Sequence, residues 1–316
     1  MISVIIPVHN NRSQILRSVN SVLNQDFKNF ELLVIDDASI DKGIDLIKDI
    51  SDPRIKIFKR STAGSGGYAA RNEGIRQSSF DWITFLDADD EWLPNHLNLI
   101  MELMHLDNRG VVSTGWYDSF PDGRHELNGF SEKFKEKGIV VLGFIQFLKF
   151  SADFKIPIHT NTVAIKRKLI QDIGGFPENR CIRGGDVTTW MNLLFLTDRL
   201  VCKPIPTAIY HREDSHVTVN TIPQIANNCI YQEVRKLLDK TQKLSRSKVR
   251  ALKLFSNFHI RFGLIKKLKI GKLKLRDMSY FYAEVAYLHY FGFGSLALMP
   301  GFIQKLVFSI SKKVLS

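Results

Sequence analysis

The first hundred residues alternate between short β-branched apolar runs and stretches whose apolar residues recur three and four positions apart. The first pattern is typical of buried strands and the second of amphipathic helices. Strands that alternate with helices favour a parallel sheet covered by helices. The predicted strands are residues 3–8, 30–35, 54–58 and 82–86. Four helices are predicted. The first follows Ser13, which would cap it, the second and third cover residues 41–50 and 67–77, and the fourth starts at Pro94.

Polar residues follow three of these strands at the point where each strand ends. His9 and Asn10 follow the first strand, Asp36 and Asp37 follow the second, and the segment 87–90 follows the fourth. Ligands of parallel α/β sheets bind beyond the carboxyl ends of the strands. The sequence therefore predicts a ligand site at this edge of the sheet.

The segment Asp-Ala-Asp-Asp at 87–90 carries the strongest chemical signal. Asp87, Asp89 and Asp90 repel one another at neutral pH unless a cation or hydrogen-bond donors compensate them. Mg²⁺ or Mn²⁺ could bind one or two of these carboxylates and take its other ligands from water and a diphosphate. The alternative is a turn whose aspartates cap the helix at Pro94.

Three further segments carry weaker signals. Asp36 or Asp37 could accept hydrogen bonds from a pyrimidine or a ribose, or could cap a helix. The glycine-rich run 64–67 precedes Arg71, whose guanidinium suits a phosphate or a base edge, although an exposed arginine beside a flexible loop is the simpler interpretation. Asp186 opens a helix after two glycines and could be a general base or a helix cap.

The second half of the chain is less regular. Its predicted strands are residues 111–116, residues 162–166 and one that ends at Tyr210. Its predicted helices are residues 139–150, which are apolar almost all round, residues 168–173, and one that starts at Asp186. From about residue 225 onward the chain is predicted to be helical, basic and rich in aromatic residues.

The positive charge of the chain lies in its C-terminal part. Residues 234–316 contain 18 lysines and arginines against three acidic residues, whereas the rest is slightly acidic. Lysines next to the aromatic stretch 281–293 favour either contact with a membrane surface or a helical subdomain with solvated basic faces. The acidic cluster and the slightly acidic body argue against nucleic-acid binding.

Several features favour a cytoplasmic protein, which could lie at the inner face of the cell membrane. No uninterrupted apolar stretch reaches membrane-spanning length, and the N-terminal apolar run is typical of a strand rather than a signal peptide. The cysteines at 181, 202 and 229 match neither a zinc motif nor a CxxC pair, and a reducing compartment is the simplest expectation.

Five segments in order resemble glycosyltransferase family 2. The similarity covers roughly residues 1–215. The segments are 5–10 (IIPVHN), 34–39 (VIDDAS), 70–74 (ARNEG), 86–94 (LDADDEWLP) and 174–178 (GGFPE). Two departures are Ala38, where the family pattern has glycine, and Gly185, where many members have glutamate. The resemblance implies a GT-A fold, a Rossmann-like and mostly parallel sheet flanked by helices, here with a helical and basic C-terminal extension.

The resemblance also implies a role for each matching residue. The residues implied to bind the nucleotide-sugar are Pro7, Val8, Asn10, Asp36, Asp37, Arg71, Asp87, Ala88 and Asp89. Asp89, and with less support Asp87, would bind Mn²⁺ or Mg²⁺, and Asp186 would be the general base. His211 could approach the metal or the diphosphate, although an ordinary surface histidine fits equally well.

The expected protein is an inverting, metal-dependent glycosyltransferase that uses a nucleoside diphosphate sugar, with uridine as the base expected from the family. Residues 1–220 would form the catalytic domain, with a donor half of 1–110 and an acceptor half of 111–220, and residues 221–316 the C-terminal region. The acceptor would be a glycan or a lipid-linked glycan of a bacterial surface polysaccharide. The alternatives are a non-catalytic sugar-nucleotide-binding module and, since no glycine follows the first strand, less favourably a sugar-nucleotide pyrophosphorylase.

Overall fold

The computed structural model describes residues 1–107, 109–212, 225–240 and 244–315, with no side chains described at 226 and 310–315. The chain divides into two compact units, Met1–Val217 and Thr218–Ser316. The predicted boundary at residue 220 lies outside the described residues.

The first part of unit one contains the alternating strands and helices that the sequence predicts. Its elements are β1 (Ile2–Val8), α1 (Ile15–Leu23), β2 (Phe30–Asp36), β3 (Ile55–Lys59), α2 (Tyr68–Gln77), β4 (Trp82–Phe85), β5 (Glu91–Trp92) and α3 (His96–Leu106). Every residue of β1 and of β2 is buried, which explains why both strands are continuous apolar runs rather than alternating ones.

Two local predictions in this part are wrong. The helix predicted at 41–50 is only a 3-10 turn, Gly43–Leu46, because Lys42 has a left-handed backbone and Asp41 accepts hydrogen bonds from the amides of Arg12 (2.7 Å) and Gly43 (2.9 Å). Ser13 does not cap α1, since its hydroxyl donates to Gln14 (2.8 Å) and no side chain caps that helix.

The second part of unit one adds short strands and helices. Its elements are β6 (Val111–Ser119), β7 (His125–Leu127), α4 (Gly129–Phe134), β8 (Val140–Leu142), α5 (Phe144–Ser151), β9 (Val163–Lys166), α6 (Arg167–Asp172), α7 (Gly185–Thr197) and β10 (Leu200–His211). The single helix predicted over 139–150 is wrong. Val140 and Val141 pair with β10, the backbone is extended at Gly143, and only then does α5 begin.

The sheet has the strand order β3-β2-β1-β4-β9-β6-β10-β5. Strands β3, β2, β1 and β4 are parallel, β9 is antiparallel to its neighbours β4 and β6, and β10 is parallel to β6. In the described part of the chain, six strands of this path therefore share one direction, and β9 and β5 oppose it. The predicted mostly parallel α/β sheet is confirmed.

The helices pack on this sheet through apolar faces and one close backbone approach. Ile15, Val19 and Val22 of α1 are fully buried in the core beside β1 and β2. Gly74 brings α2 close to β1, because a Cβ atom at this position would lie 2.4 Å from Cγ2 of Ile5. The glycine of the ARNEG segment thus allows helix–strand packing.

The second unit is helical and basic, as the sequence predicts. Its α-helices are α8 (Cys229–Lys240), α9 (Arg246–Lys269), α10 (Tyr287–Ala297) and α11 (Gly301–Leu315). Ile260, Leu264 and Leu268 of α9 form its core with Leu273 and Met278. Among the helices that the structure describes, none is long and apolar enough to cross a membrane.

Candidate active site

The carboxyl ends of β1 and β2 bring together four of the residues that the resemblance assigns to the nucleotide. Pro7 pairs with Ile35 and Val8 with Asp36, and the Asp37 amide donates to the Val8 carbonyl (2.8 Å). Asp36 is buried and accepts a hydrogen bond from the amide of Ser39 (2.8 Å), which orders the turn after β2.

Asp37 joins this edge to the loop that precedes α2. Its buried carboxylate forms an ion pair with Arg60 and accepts a hydrogen bond from the Gly64 amide (3.0 Å). The sequence reasoning missed Arg60, which is one of many basic residues and lies in no motif. Both carboxylate oxygens of Asp37 thus have partners, and its contact with a base stays a prediction.

Asn10 and Ala38 have left-handed backbones, each with φ 56°. The Asn10 side-chain oxygen accepts a hydrogen bond from the Ile40 amide (3.0 Å), which ties the loop after β1 to the loop after β2. A β carbon is disfavoured at such a φ, so glycine is the natural residue at position 38. The family pattern has glycine there, and Ala38 keeps the conformation at the expense of strain.

Arg71 lies between the glycine-rich loop and Asp87. Its buried guanidinium forms an ion pair with the partly exposed Asp87, donates to the Gly66 carbonyl (3.0 Å) and lies 5.6 Å from the Phe176 ring centre. The structure therefore brings together two residues that the sequence assigns to the donor site from separate motifs.

Asn161 organises the loop at 87–90, and the sequence reasoning missed it. Its side-chain oxygen accepts from the Asp87 amide (2.9 Å), and its side-chain nitrogen donates to Asp90 (2.5 Å). The amide of His211 donates to the other oxygen of Asp90 (2.8 Å). One buried amide side chain from the second half of the chain thus fixes the conformation of the acidic motif.

The three carboxylates of this loop have different environments. Asp90 is fully buried, and burial followed by the negative charges of Asp89 and Asp87 raises its pKa well above the ordinary value. Asp87 and Asp89 are partly exposed, and the Asp89 carbonyl accepts a hydrogen bond from Arg17. Ala88 is buried between them. Asp90 is therefore a structural member of the motif, whereas Asp87 and Asp89 are partly accessible to solvent.

No group of three or more His, Cys, Asp or Glu side chains in the described residues is arranged to hold a metal ion. Mg²⁺ and Mn²⁺ do not need such a cage, because one or two carboxylates can suffice when water and substrate phosphates complete the shell. The partly exposed Asp87 and Asp89 fit that requirement, and the repulsion that raises the pKa of Asp90 is the electrostatic field that a cation would relieve.

His211 ends β10 beside Glu91, on the neighbouring strand β5. Its Nε2 lies 2.9 Å from the Glu91 carboxylate, and this hydrogen bond lowers the pKa of Glu91. Metal binding through Nε2 would have to replace this contact, so a metal role for His211 stays a prediction.

Asp186 is the second residue of α7, and Tyr68 holds the start of that helix. The Gly185 amide donates to the Tyr68 hydroxyl (2.9 Å). Burial, followed by the charge of Asp186, raises the pKa of Tyr68 to about 12. A Cβ atom at Gly185 would lie 2.5 Å from Cζ of Tyr68. Tyr68 thus explains why glycine, and not the glutamate of many family members, precedes Asp186.

Asn72 ties α2 to the segment that leads into α7. Its nitrogen donates to the Phe176 carbonyl (2.9 Å), and its oxygen accepts from the Phe176 amide (2.8 Å). The Phe176 ring packs edge to face on Phe85 (5.3 Å) and Trp190 (5.6 Å). The asparagine of the ARNEG segment and the phenylalanine of the GGFPE segment are therefore structural partners.

The donor-side residue Asp87 and the candidate base Asp186 influence the pKa of the same two side chains. The charges of Asp87 and Asp186 both act on Arg71 and on His159. His159, which the sequence reasoning missed, has its ring centre 5.1 Å from that of Trp116 and 4.9 Å from that of Tyr210. Burial lowers the pKa of His159, and the nearby carboxylates oppose this shift. Asp87 and Asp186 thus both act electrostatically on these two side chains.

Comparison with known proteins identifies the family of this chain. The family model described as Glycosyl transferase family 2 matches residues 3–174. A Campylobacter jejuni relative, GalNAc(5)-diNAcBac-PP-undecaprenol beta-1,3-glucosyltransferase, is 28% identical over 78% of this chain and 77% of its own length. The Escherichia coli protein WfgD, a UDP-Glc:alpha-D-GlcNAc-diphosphoundecaprenol beta-1,3-glucosyltransferase, is 38% identical over 34% of this chain and 42% of its own length. The chain spans less than half the length of two further curated relatives, which are matched over 26% and 47% of their own length.

Two solved structures share the fold. Staphylococcus aureus TarS, residues 1–349 in complex with UDP-GlcNAc, aligns with a TM-score of 0.72 at 17% identity, over 97% of this chain and 88% of TarS. The mannosyltransferase PcManGT from Pyrobaculum calidifontis, in complex with GDP-Man and Mn²⁺, aligns with a TM-score of 0.60 at 17% identity, over 98% of this chain and 84% of PcManGT. At these identities the likeness shows the fold alone, which is the GT-A fold expected from the sequence.

Proposed function

The chain belongs to glycosyl transferase family 2, and on this premise we propose that it transfers a sugar from a nucleoside diphosphate sugar to a hydroxyl group, with inversion at the anomeric carbon. The observation that carries the proposal is that one helix, α2, contacts both the donor side and the start of α7. Arg71 forms an ion pair with Asp87, and Tyr68 accepts a hydrogen bond from the Gly185 amide, next to Asp186. A single displacement requires a donor-binding group and a base held in fixed positions near each other.

The donor would bind at the carboxyl ends of β1, β2 and β4. Its base and ribose would lie against Pro7, Val8 and Asn10, with Asp36, Asp37, Asp87 and Ala88 in reach. The diphosphate would bind Arg71. The support for this role is that the buried guanidinium of Arg71 is already held in place by Asp87 and by the Gly66 carbonyl. We propose uridine as the base, since WfgD is named for a UDP-glucose donor and the TarS structure contains UDP-GlcNAc.

In the proposed step, the acceptor hydroxyl lies between Asp186 and the anomeric carbon. The hydroxyl oxygen forms the new bond, Asp186 takes the proton, and the bond from the anomeric carbon to the diphosphate breaks. The hydrogen bond from the Gly185 amide to Tyr68 fixes the first turn of α7, and so supports a fixed position for Asp186.

We also propose a divalent cation, Mn²⁺ or Mg²⁺, held by Asp89 and by Asp87. Such an ion would act as a Lewis acid that stabilises negative charge on the departing diphosphate. The exposure of these two carboxylates supports the assignment, and PcManGT carries Mn²⁺ on the same fold.

The acceptor that we propose is a lipid-linked glycan at the inner face of the cell membrane, within surface polysaccharide synthesis. The support is that the Campylobacter jejuni and Escherichia coli relatives are named for acceptors that carry undecaprenol on a diphosphate. The basic second unit would then contact the membrane.

A thermal-shift panel of nucleoside diphosphates and their sugars, with and without Mn²⁺, tests the donor site. We expect stabilisation that requires both the metal and one nucleotide, and that is lost in Asp89→Ala. A variant Asp186→Asn should keep this stabilisation and lose at least about 100-fold in kcat, because general base catalysis contributes about 10²–10⁴-fold. If no nucleotide stabilises the protein, or if Asp186→Asn transfers sugar at the normal rate, the proposal is wrong.

A further inference from the structure

Helix α10 is apolar on all sides, yet among the residues that the structure describes only one side of it is packed. Its sequence, YLHYFGFGSLA, contains no acidic residue, lysine or arginine. Tyr290, Phe293 and Leu296 pack on the core of the second unit. The opposite side exposes Leu288 (89% exposed) and Phe291 (65%). Surface helices normally turn polar residues outward, so the outer side of α10 has the composition of a buried face.

Helix α11 continues this apolar surface, and the contacts of Gln304 determine which side of α11 faces the core. The buried Gln304 side chain accepts from the Leu273 amide (3.1 Å) and donates to the Leu273 (3.0 Å) and Met299 (2.9 Å) carbonyls. Residues two positions away on a helix point to the opposite side. Phe302 (73% exposed) and Leu306 (57%) therefore face outward as a consequence of packing and not of an arbitrary rotamer.

We define the outer face of the second unit as the exposed large apolar side chains of these two helices and their connection: Tyr287, Leu288, Phe291, Leu298, Phe302 and Leu306. They recur at spacings of three and four residues within each helix, so they form one stripe on each helix. Apolar patches of this kind on a folded protein mark a surface that binds something.

The charge of the second unit identifies the partner. Residues 218–316 contain 18 lysines and arginines against four acidic residues. All four acidic residues already have basic partners: Arg235–Asp239, Lys236–Glu233, Lys253–Glu284 and Lys267–Asp277. The second unit thus combines a large excess of positive charge with an exposed apolar face. This combination matches an anionic phospholipid surface, which offers negative head groups above an apolar layer.

The basic residues lie next to the outer face. Gly271, between Lys269 and Lys272, contacts Gly301 at the start of α11 so closely that a Cβ atom at Gly301 would lie 2.6 Å from the Gly271 carbonyl oxygen. Lys269 and Lys272 therefore flank a backbone contact with the first turn of α11, which contains Phe302.

The same charge argues against a second copy of this chain as the partner. Pairing two outer faces would bring together two units that are each strongly positive, and like charges across an interface are unfavourable. The 11 residues of α10 are also too few to cross a bilayer, which needs about 20. The helices would therefore lie along the surface.

We propose that the outer face of the second unit docks on an anionic membrane, with α10 and α11 parallel to the bilayer and Leu288, Phe291 and Phe302 inserted below the head groups. This inference deepens the proposed function, because a lipid-linked acceptor is presented at such a surface. The docking itself does not depend on catalysis.

Co-sedimentation of the full chain with lipid vesicles tests the proposal. One set of vesicles contains phosphatidylcholine alone, and the other contains phosphatidylcholine with about 30% phosphatidylglycerol, an anionic lipid. We expect binding to the anionic vesicles that weakens as NaCl is raised, and little binding to the neutral ones. The variant Leu288→Ser/Phe302→Ser should bind at least about tenfold more weakly. The control Leu106→Ser/Ile139→Ser, which removes two exposed apolar side chains of unit one, should bind like the wild type.

Three results would overturn the docking proposal: no binding to anionic vesicles, equal binding of the outer-face variant and the control, or a stable dimer that the outer-face variant dissociates. Nucleotide-dependent thermal shifts of the same variants separate this inference from the proposed function. Vesicle binding without any nucleotide effect would leave the docking face intact and reject the donor site, and the reverse result would reject only the docking.

Discussion

Replacing Gly185 with alanine tests whether Tyr68 sets the position of Asp186. The new Cβ atom would lie 2.5 Å from Cζ of Tyr68 and 2.9 Å from Cγ of Pro177. Carbon atoms pack at about 3.5–4.0 Å, so the ring or the helix must move by about 1 Å. Tyr68 is buried and stacks on Phe176 (6.2 Å between ring centres), so the ring has little room and the start of α7 is expected to shift.

The size of the effect follows from this overlap. Extra atoms in a packed region cost about 1–3 kcal/mol of unfolding free energy, which lowers Tm by about 2–4 °C per kcal/mol in a domain of this size. A misplacement of about 1 Å near the reacting groups lowers turnover by on the order of 100-fold. We therefore expect Gly185→Ala to lower Tm by about 2–12 °C and kcat by on the order of 100-fold, with the donor KM nearly unchanged.

Differential scanning fluorimetry and steady-state kinetics measure these two effects. The control is Gly292→Ala in α10, where nothing lies within 4 Å of the added atom and Tm should not fall. In a Tyr68→Ala variant the ring that the new Cβ atom would overlap is absent. Adding Gly185→Ala to that variant should therefore lower Tm and kcat much less than it does in the wild type. If the cost is equal in both backgrounds, or absent in the wild type, the reasoning about Tyr68 is refuted.

Two further predictions concern buried polar groups. Asn72→Asp removes the donor to the Phe176 carbonyl and places a carboxylate beside Glu178. We therefore expect the unfolding free energy, measured by urea denaturation, to fall by about 2–4 kcal/mol. Unchanged stability would contradict the tie between α2 and the segment that leads into α7. Asp90 has a raised pKa when folded, so its folded form binds a proton more tightly than the unfolded chain. Its contribution to stability therefore falls as pH rises above about 4, and in metal-free buffer the Tm of the wild type relative to Asp90→Asn should decrease from pH 4 to pH 8; an increase would contradict the pKa shift.

The elements that the sequence predicts well are those decided by local pattern. Strands β1 and β2 are continuous apolar runs, and α1 has a regular apolar face, so pattern and burial agree. The prediction fails where side chains compete for the backbone. Asp41 has a partner 29 residues earlier, the Arg12 amide, and this contact favours a turn where apolar spacing alone favours a helix.

The candidate site shows the same division. The acidic loop and Arg71 are found from motifs, but Asn161, which fixes that loop, comes from a segment seventy residues later and has no distinctive neighbours in the sequence. A residue of this kind acts through a long-range contact, which periodicity and spacing do not record. The same is true of Tyr68 and Gly185, whose mutual fit is visible only when α2 and α7 lie side by side.

The charges around Asp87 explain why a cation belongs to the proposed donor site. Asp87, Asp89 and Asp90 lie in one loop, and the described structure pairs Asp87 with the buried Arg71. A nucleoside diphosphate adds at least two negative charges and would compete with Asp87 for the same guanidinium. If Arg71 turns to the diphosphate, Asp87 loses its partner beside two other carboxylates, which is unfavourable in a partly buried site. A divalent cation between the carboxylates and the diphosphate removes that conflict, because Arg71 and the metal can then share the anionic oxygens. The requirement for metal in the thermal-shift experiment thus follows from the Arg71–Asp87 ion pair, and nucleotide binding of full strength without metal would show that the diphosphate does not use Arg71.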